Sequence, residues 1–442
     1  MTEFKRRRDA FMEKIGDAVA VFPSAPEVFR SNDGHYPYRQ DSDFYYLTGF
    51  AEPNSVLVLA PTHPETKTVI FVRPRDRDRE IWEGKRLGVE AAAAALSVDA
   101  AYPLAELDKR LPELLDTSDD LYYGMNGGRD FIQRIVKHVR QARIGRRRSD
   151  HAALNILDPS PILHEMRMVK SAADIAGMRR AVEISAAGHL AAMRYARPGM
   201  HEYEVQAIVD YVFASRGAQS NAYPSIVAAG NNTTYLHYTA NRDRIPDNAL
   251  VLIDAGAEVD FYNGDLTRTW PISGKFSAEQ RAVYDIVLAA NRAAIDLCKP
   301  GVTYNTTIND TAQRIMIEGL IDLKLVKGSA DAVLESGAHR PFLPHRVGHF
   351  LGYDTHDVGF YRKGGDWRPL AAGMVMTIEP GLYVGDDLDV DPRFKGIGVR
   401  IEDDVLITER GHENLSEDLP KDAADIERTM EEGRRSKEPL LA

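Results

Sequence analysis

Acidic residues set at the ends of, or inside, apolar strand-like runs constrain this chain most. Asp254 ends the run Leu250 to Ile253, Glu379 follows MVMTI, and Glu402 sits in GIGVRIEDDVLIT; Asp265 lies in GDLTRTW and His349 in the glycine-rich PHRVGHFLGYDTHDVG. Carboxylates at close range raise one another's pKa, so four of them and one imidazole converging in one pocket would stay ionised together only beside cations. Two divalent ions would offset the four carboxylates and leave room for one hydroxide. Oxygen-rich ligands with a single His suit Mn²⁺ or a similar borderline-hard ion better than a thiolate-loving one. The pattern implies a binuclear hydrolytic centre.

At 442 residues the chain is long enough for two or three domains. A formal net charge of -11 argues against a nucleic-acid partner, because phosphate contact needs clustered Lys and Arg. Two local basic runs, Lys5 to Arg8 and Arg146 to Arg148, read as a solvated helix face or loop, with an intersubunit contact as the alternative. The only cysteine, Cys298, excludes a disulfide framework and a thiolate cluster and reads as a small core residue. The apolar run Ala18 to Pro23 is too short for a signal segment, and no stretch reaches membrane-spanning length. A cytoplasmic location and no membrane partner are expected.

Residues 1–160 read as a smaller α/β domain: a helix over 1–16, strands AVAVF, SVLVLA, TKTVIFV and LYYG, and helices EAAAAALSV and AELDKRLPELL, forming an open sheet with helical cover. The prolines of LDPSPILHEM mark a boundary, and 161–442 form a second domain. There a Ser171 to Asp174 capping pattern opens a long helix that stops at Arg197-Pro198-Gly199. Helices are also expected over HEYEVQAIVDYVFASRG, AEQRAVYDIVLAANRAAIDLC and TINDTAQRIMIEGLIDLK. Strands LVLIDAGAEV, LTRTWPI, MVMTIEPGLYV and GVRIEDDVLIT then make a curved antiparallel sheet under the helices, an α+β arrangement whose helix-then-sheet order occurs twice.

A hairpin turning at Val259 and Asp260 would set Asp254 directly opposite Asp265, close enough to grip one ion or a neighbouring pair. Read singly, each aspartate is better explained as a structural turn residue. Strand alternation puts Arg400, Glu402 and Asp404 on one face, either with Arg400 steadying the carboxylates or as a surface salt-bridge ladder. His345, His349 and His356 cluster in one stretch that fits no zinc signature, and His237 in the Asn-rich NNTTYLHYTANRD is a further candidate.

The ordered motifs LVLIDAG, GDLTRTW, HxxxHxxGxxxHD, TIEPGLY and GVRIEDD resemble the metallopeptidases of the pita-bread (creatinase/aminopeptidase-like) fold, across the whole second domain. The stretches RSNDGHYPYRQDSDFYYLTGFAEPNSVLVL and EIWEGKRLG are similar to the N-terminal domain of the aminopeptidase P family. The resemblance implies release of the N-terminal residue from peptides with proline in second position, by attack of a hydroxide bridging two ions. These would be Mn²⁺, with Zn²⁺ or Co²⁺ as alternatives. It implies Asp254, Asp265, His349, Glu379 and Glu402 as metal ligands, with Asp265 and Glu402 bridging. Glu379 would also shuttle the proton, His237 and His356 would stabilise the carbonyl oxygen, and His345 would wall the proline pocket. Tyr383 and Arg400 would give hydrogen-bonded support, Tyr383 beside the substrate. Asp254 would meet the substrate amine. Asp33 and Trp82 match residues that reach a neighbouring subunit's site, implying a homodimer or homotetramer; local capping for Asp33 and core packing for Trp82 are the alternatives. The other functions in view are an Xaa-Pro dipeptidase (prolidase) and, more remotely, a non-enzymatic binding protein on the same fold.

Overall fold

In the computed structural model, residues 2–124, 128–145, 151 and 155–436 are described. They form two compact units, Met1–Arg167 and Met168–Ala442.

In the first unit, apolar runs become strands covered on both faces. Helix α1 (Glu3–Ile15) precedes β1 (Val19–Pro23), β2 (Val56–Leu59), β3 (Thr68–Val72), β4 (Ala100–Pro103), β5 (Asp120–Tyr123) and β6 (Asn155–Leu157). Their order is β4-β3-β2-β1-β5-β6, antiparallel across β3-β2-β1 and parallel elsewhere. One face buries Val21, Val58 and Phe71 against Leu111 and Val139 of two helices. On the other, Phe11 of α1 meets Phe22 edge-on, ring centroids 5.5 Å apart. Continuous rather than alternating hydrophobicity is what a sheet buried on both sides requires.

The first basic run is not a wholly solvated face. Arg7 and Arg8 are buried, at 2% and 0% exposure. Arg8 donates to the carbonyls of Leu47 (2.7 Å), Leu96 (2.9 Å) and Ser97 (2.7 Å), and Arg7 to that of Tyr46 (3.1 Å). These carbonyls end two helices, Ser42–Thr48 and Val89–Leu96, whose last peptide groups lack intrahelical partners and carry partial negative charge. Only Lys5 and Arg6 keep to the surface, paired within the helix to Asp9 and Glu3. The second run, Arg146 to Arg148, lies outside the described residues.

The second unit repeats a pattern of two helices followed by antiparallel strands. Helices α2 (Ala172–Tyr195) and α3 (Glu202–Ser215) lead into β7 (Ile226–Ala229), β8 (Leu250–Asp254), β9 (Ala257–Val259), β10 (Tyr262–Asn263) and β11 (Thr267–Pro271). Helices α4 (Ala278–Asp296) and α5 (Asn309–Asp322) lead into β12 (Val375–Ile378), β13 (Gly381–Val384), β14 (Ile397–Arg400) and β15 (Asp403–Ile407). Reciprocal capping boxes open α2 (Ser171 with Asp174) and α4 (Ser277 with Gln280). The expected curved sheet consists of short ladders, β7-β8-β11, β9-β10, β12-β15 and β13-β14, with a bridge from Thr267 to Glu402 joining the two halves. Cys298 is fully buried, and no described helix is long and apolar enough to cross a membrane.

Each half has a helix that holds its acid-bearing strands through polar contacts. From α2, Ser185 Oγ accepts from Ala257 N (2.9 Å) and His189 Nε2 donates to the Ala255 carbonyl (2.9 Å). From α4, Asn291 Nδ2 donates to the carbonyls of Ile378 (3.1 Å) and Ile401 (3.3 Å), which precede Glu379 and Glu402.

Replacing Arg8 with Ala leaves three terminal carbonyls without their cation, and buried acceptors stripped of a charged donor cost about 3 kcal/mol. R8A is expected to unfold its domain at lower urea while leaving metal content unchanged, as equilibrium melts with parallel metal analysis would show.

Candidate metal centre and active site

The two aspartates share a face, but they are not directly opposed. The turn falls at Asp260 and Phe261, both in the left-handed region (φ 50° and 70°), so Asp254 pairs with Thr267. Two consecutive residues of positive φ are what a tight two-residue hairpin demands. Moving the turn one residue along shifts the partner by two, and a shift of two returns to the same face. Asp254 and Asp265 are therefore diagonal neighbours. Tyr223 spans the gap, its hydroxyl 2.6 Å from Asp254 Oδ1 and 2.5 Å from Asp265 Oδ1.

The other acids arrive on the second half's strands. The segment 347–350 runs beside β12, with Thr377 N donating to the His349 carbonyl (2.8 Å) and Glu379 N to that of Val347 (2.9 Å). A Cβ on Gly348 would stand 2.1 Å from the Thr377 carbonyl oxygen, so only glycine permits this approach. His349 Nε2 then lies 3.4 Å from Asp265 Oδ2 and 3.6 Å from Glu379 Oε1. Ligand atoms of Asp265, His349 and Glu402 fall within 4.8 Å of one another.

Arg400, Glu402 and Asp404 all turn toward the aspartate hairpin and are buried, which rules out a surface ladder. Arg400 Nη2 donates to Asp254 Oδ2 (2.6 Å), its Nε to Thr267 Oγ1 (3.2 Å), and Thr267 in turn to Glu402 Oε2 (2.7 Å). Asp404 Oδ2 accepts from Asp265 N (3.0 Å). Arg400 Nη1 also donates to the Tyr383 hydroxyl (2.9 Å), which lies 2.7 Å from His345 Nε2. His345 Nδ1 is 2.7 Å from the Arg346 carbonyl, so Nδ1 carries the proton and Nε2 accepts from Tyr383.

A cavity of about 660 Å³ is lined by Asp254, Asp265, His349, Glu379 and Glu402 together with His237, His345, His356, Arg400 and Tyr223. Tyr383 is buried behind it rather than on its wall. The rings of His349 and His356 stand 4.2 Å apart, and the loop of His356 is pinned by a buried ion pair between Lys170 Nζ and Asp357 Oδ2 at 2.9 Å. Asp33 and Trp82 belong to the first unit and line none of this cavity. Asp33 is exposed in the turn between two short strands, and Trp82 is 86% exposed on the helix Arg77–Glu83, so Trp82 is not a core residue.

The electrostatics follow from burying like charges together. Burial, then repulsion from Asp265 and Glu379, drives Glu402 well above the usual carboxylate range. Burial likewise lifts Glu379 to about 7, against the pull of His349 and Arg400. Burial disfavours the cationic form of His349, but its bond to Asp265 and the attraction of Asp265 and Glu379 prevail and raise it to about 9. His345 moves the other way, to about 4, through burial and the nearby Arg400 cation. Without cations the cluster holds protons at neutral pH. Clustered oxygen donors with one imidazole and no thiol suit a pair of hard or borderline divalent ions, so the residues present fit the expected metals.

Tyr223, Thr267 and the Lys170–Asp357 pair escaped the sequence reading. Tyr223 sits in the unremarkable string NAYPS and Thr267 reads as an ordinary strand threonine; no local pattern marks either.

Such a donor set on helix-backed antiparallel strands defines a metallohydrolase centre. The chain matches metallopeptidase family M24 over residues 176–409 and the aminopeptidase P N-terminal domain over residues 4–122. The Xaa-Pro aminopeptidase of Escherichia coli (strain K12) is 44% identical over 437 residues, covering 98% of each chain. The structure of aminopeptidase PepP from Pseudomonas aeruginosa aligns with a TM-score of 0.95 at 42% identity, covering 98% of each chain. That of E. coli aminopeptidase P with the inhibitor Pro-Leu aligns at 0.93 with 44% identity, covering 98% of this chain and 99% of that one. The chain belongs to metallopeptidase family M24, as a member of its aminopeptidase P group.

The protons on Glu379, Glu402 and His349 have a thermodynamic consequence. A group whose pKa is higher in the folded state contributes stability that is lost as pH rises through that value. His189 and His345 are pushed down to about 4, so their opposing contribution fades within about one pH unit above the ordinary imidazole value of about 6.5 and stays smaller than that of His349. Chelated protein is therefore expected to melt at progressively lower temperature from pH 6.5 to pH 9, the value to which His349 is raised. Cations displace the same protons, so the melting-temperature gap between metal-loaded and chelated protein should widen over that range. Calorimetry with and without chelator measures it, and a constant gap would place the protons elsewhere.

Proposed function

We propose that the chain releases the N-terminal residue from peptides with proline in second position. The observation that supports this most is the convergence on one cavity of all five ligand side chains with three histidines. The Pro-Leu inhibitor named for the E. coli relative is in keeping with a proline-binding pocket. Asp254, Asp265, His349, Glu379 and Glu402 would hold two divalent ions, Mn²⁺ by preference for oxygen donors, with Asp265 and Glu402 shared between them. When bound, such ions supply a strong nucleophile at neutral pH by lowering the pKa of water.

Glu379, beside His349 and facing the cavity, takes the proton from the attacking water and delivers it to the proline nitrogen. His237 and His356 donate to the carbonyl oxygen of the residue before proline as negative charge develops there. Neutral His345, steadied by the Tyr383 hydroxyl, walls the ring pocket. Asp254, already held by Arg400, offers its negative charge to the substrate amine. The X-Pro bond has no N–H to donate and a fixed φ, so it suits a site that grips the ring rather than an extended backbone. Asp33 and Trp82 would reach the site of a neighbouring copy in a homodimer or homotetramer, which accounts for so large an exposed indole. The protein would act in the cytoplasm.

Three measurements test this. Turnover of Xaa-Pro-Xaa tripeptides is expected beside that of Xaa-Pro dipeptides; activity confined to dipeptides would make the chain a prolidase. Glu379→Ala is expected to lower kcat by at least about 100-fold, the usual contribution of a positioned acid–base group. The first domain should still melt as before. Near-normal turnover would remove Glu379 from the proton path, and protein that neither contains nor rebinds divalent ions would favour a binding role.

A further inference from the structure

Glu202 has no exposed surface, lies outside the cavity, and has no part in the chemistry above. It is the first residue of α3, and its carboxylate accepts four hydrogen bonds. Oε1 accepts from Ala229 N (2.9 Å) and Asn232 Nδ2 (3.0 Å); Oε2 accepts from the Tyr238 hydroxyl (2.8 Å) and Asp243 N (2.9 Å). All four donors are neutral. Burying a carboxylate without a cation is expensive, and here only those bonds and the positive end of α3 offset the cost.

All four donors also belong to one segment, 229–243, which leaves the end of β7 and carries His237 next to Tyr238. One turn along α3, Gln206 Oε1 accepts from Asn241 Nδ2 (2.9 Å) of the same segment. His237 is exposed on this loop, and among the described residues nothing hydrogen-bonds its ring. Its position over the cavity is therefore set by the backbone that bears it. An ionised carboxylate, with about four acceptor sites, is the side chain that can fix so many points of one loop at once.

We propose that Glu202 is a positioning residue for His237: its fourfold anchorage of the 229–243 loop sets the imidazole where the substrate carbonyl oxygen will be. This rests on the role given to His237 above. Misplacing a reacting group by about 1 Å lowers turnover by as much as about 100-fold. Glu202→Gln turns N–H groups toward N–H donors and should approach that loss in kcat, and Tyr238→Phe, which deletes one of the four bonds, should cost several-fold. KM and metal content should stay close to those of the parent.

The test is a double-mutant cycle on an Xaa-Pro-Xaa tripeptide, with E202Q and Y238F each measured alone and combined with H237A. The expected result is that both substitutions lose most of their effect once His237 is gone. If H237A alone turns over normally, the reading of His237 fails and takes this proposal with it. If H237A is impaired but E202Q and Y238F lower kcat by the same factor in both backgrounds, Glu202 does not act through His237, and only this proposal falls. Should E202Q not fold, Y238F carries the same cycle.

Discussion

Four carboxylates crowded round one cavity would, with all of them ionised, carry more negative charge than the side chains beside them neutralise. Arg400 answers Asp254 at 2.6 Å and His349 leans on Asp265 and Glu379, but among the described residues Glu402 has only the Thr267 hydroxyl for a close donor. Repulsion at this range would spread the strands that carry the acids. Those strands are two to five residues long, and ladders that short do not resist spreading by themselves. The restraint comes from groups behind the site.

Three polar devices supply it. Ser185 and His189 of α2 bind the backbone of the aspartate hairpin, and Asn291 of α4 binds the carbonyls ahead of Glu379 and Glu402. Beneath them Arg268, fully buried, donates to the Glu402 carbonyl (2.6 Å) and to Asp403 Oδ1 (2.7 Å), while Lys421 Nζ sits 3.1 Å from Asp403 Oδ2. Asp403, flanked by two cations, is held below the usual carboxylate range even though burial opposes it. Its neighbour Asp404, facing the hairpin instead, is driven well above that range by burial and Asp265. Adjacent aspartates thus stay on opposite sides of neutrality, one as a structural anion and one as part of the cluster that needs cations. Removing Asp403 would leave the fully buried Arg268 cation without its carboxylate, so the platform depends on that one side chain.

Much of the centre was legible because its ligands sit in local patterns: an acid closing or interrupting an apolar strand, and histidines crowded into a glycine-rich loop. Helix starts were legible for the same reason, since Ser171 with Asp174 is a cap readable within four residues. What escaped depends on partners far along the chain. The hairpin register hinges on positive φ at Asp260 and Phe261, residues that seldom advertise it, and a one-residue error there moves the partner of Asp254 from Thr267 to Asp265. Arg7 and Arg8 look like surface charges until the carbonyls of residues 46, 47, 96 and 97 arrive to receive them. Tyr223 and Glu202 act through tertiary contacts alone, and one sequence without its fold gives no reason to single them out.

His345 and His349 show how closely this environment decides chemistry. They lie four residues apart in one loop, yet burial and Arg400 hold the first near 4 while Asp265 lifts the second to about 9. His345 fixes its tautomer through the Arg346 carbonyl and accepts from Tyr383, which makes it a neutral wall with a set orientation. His349 points the same kind of ring at two carboxylates, which stabilise its positive charge. A proton there is a weaker counter-charge than a divalent ion, so the same carboxylates that hold it also favour its replacement. Pairs of like groups driven apart in this way are how one site keeps both a neutral and a charged form of a side chain at a single pH.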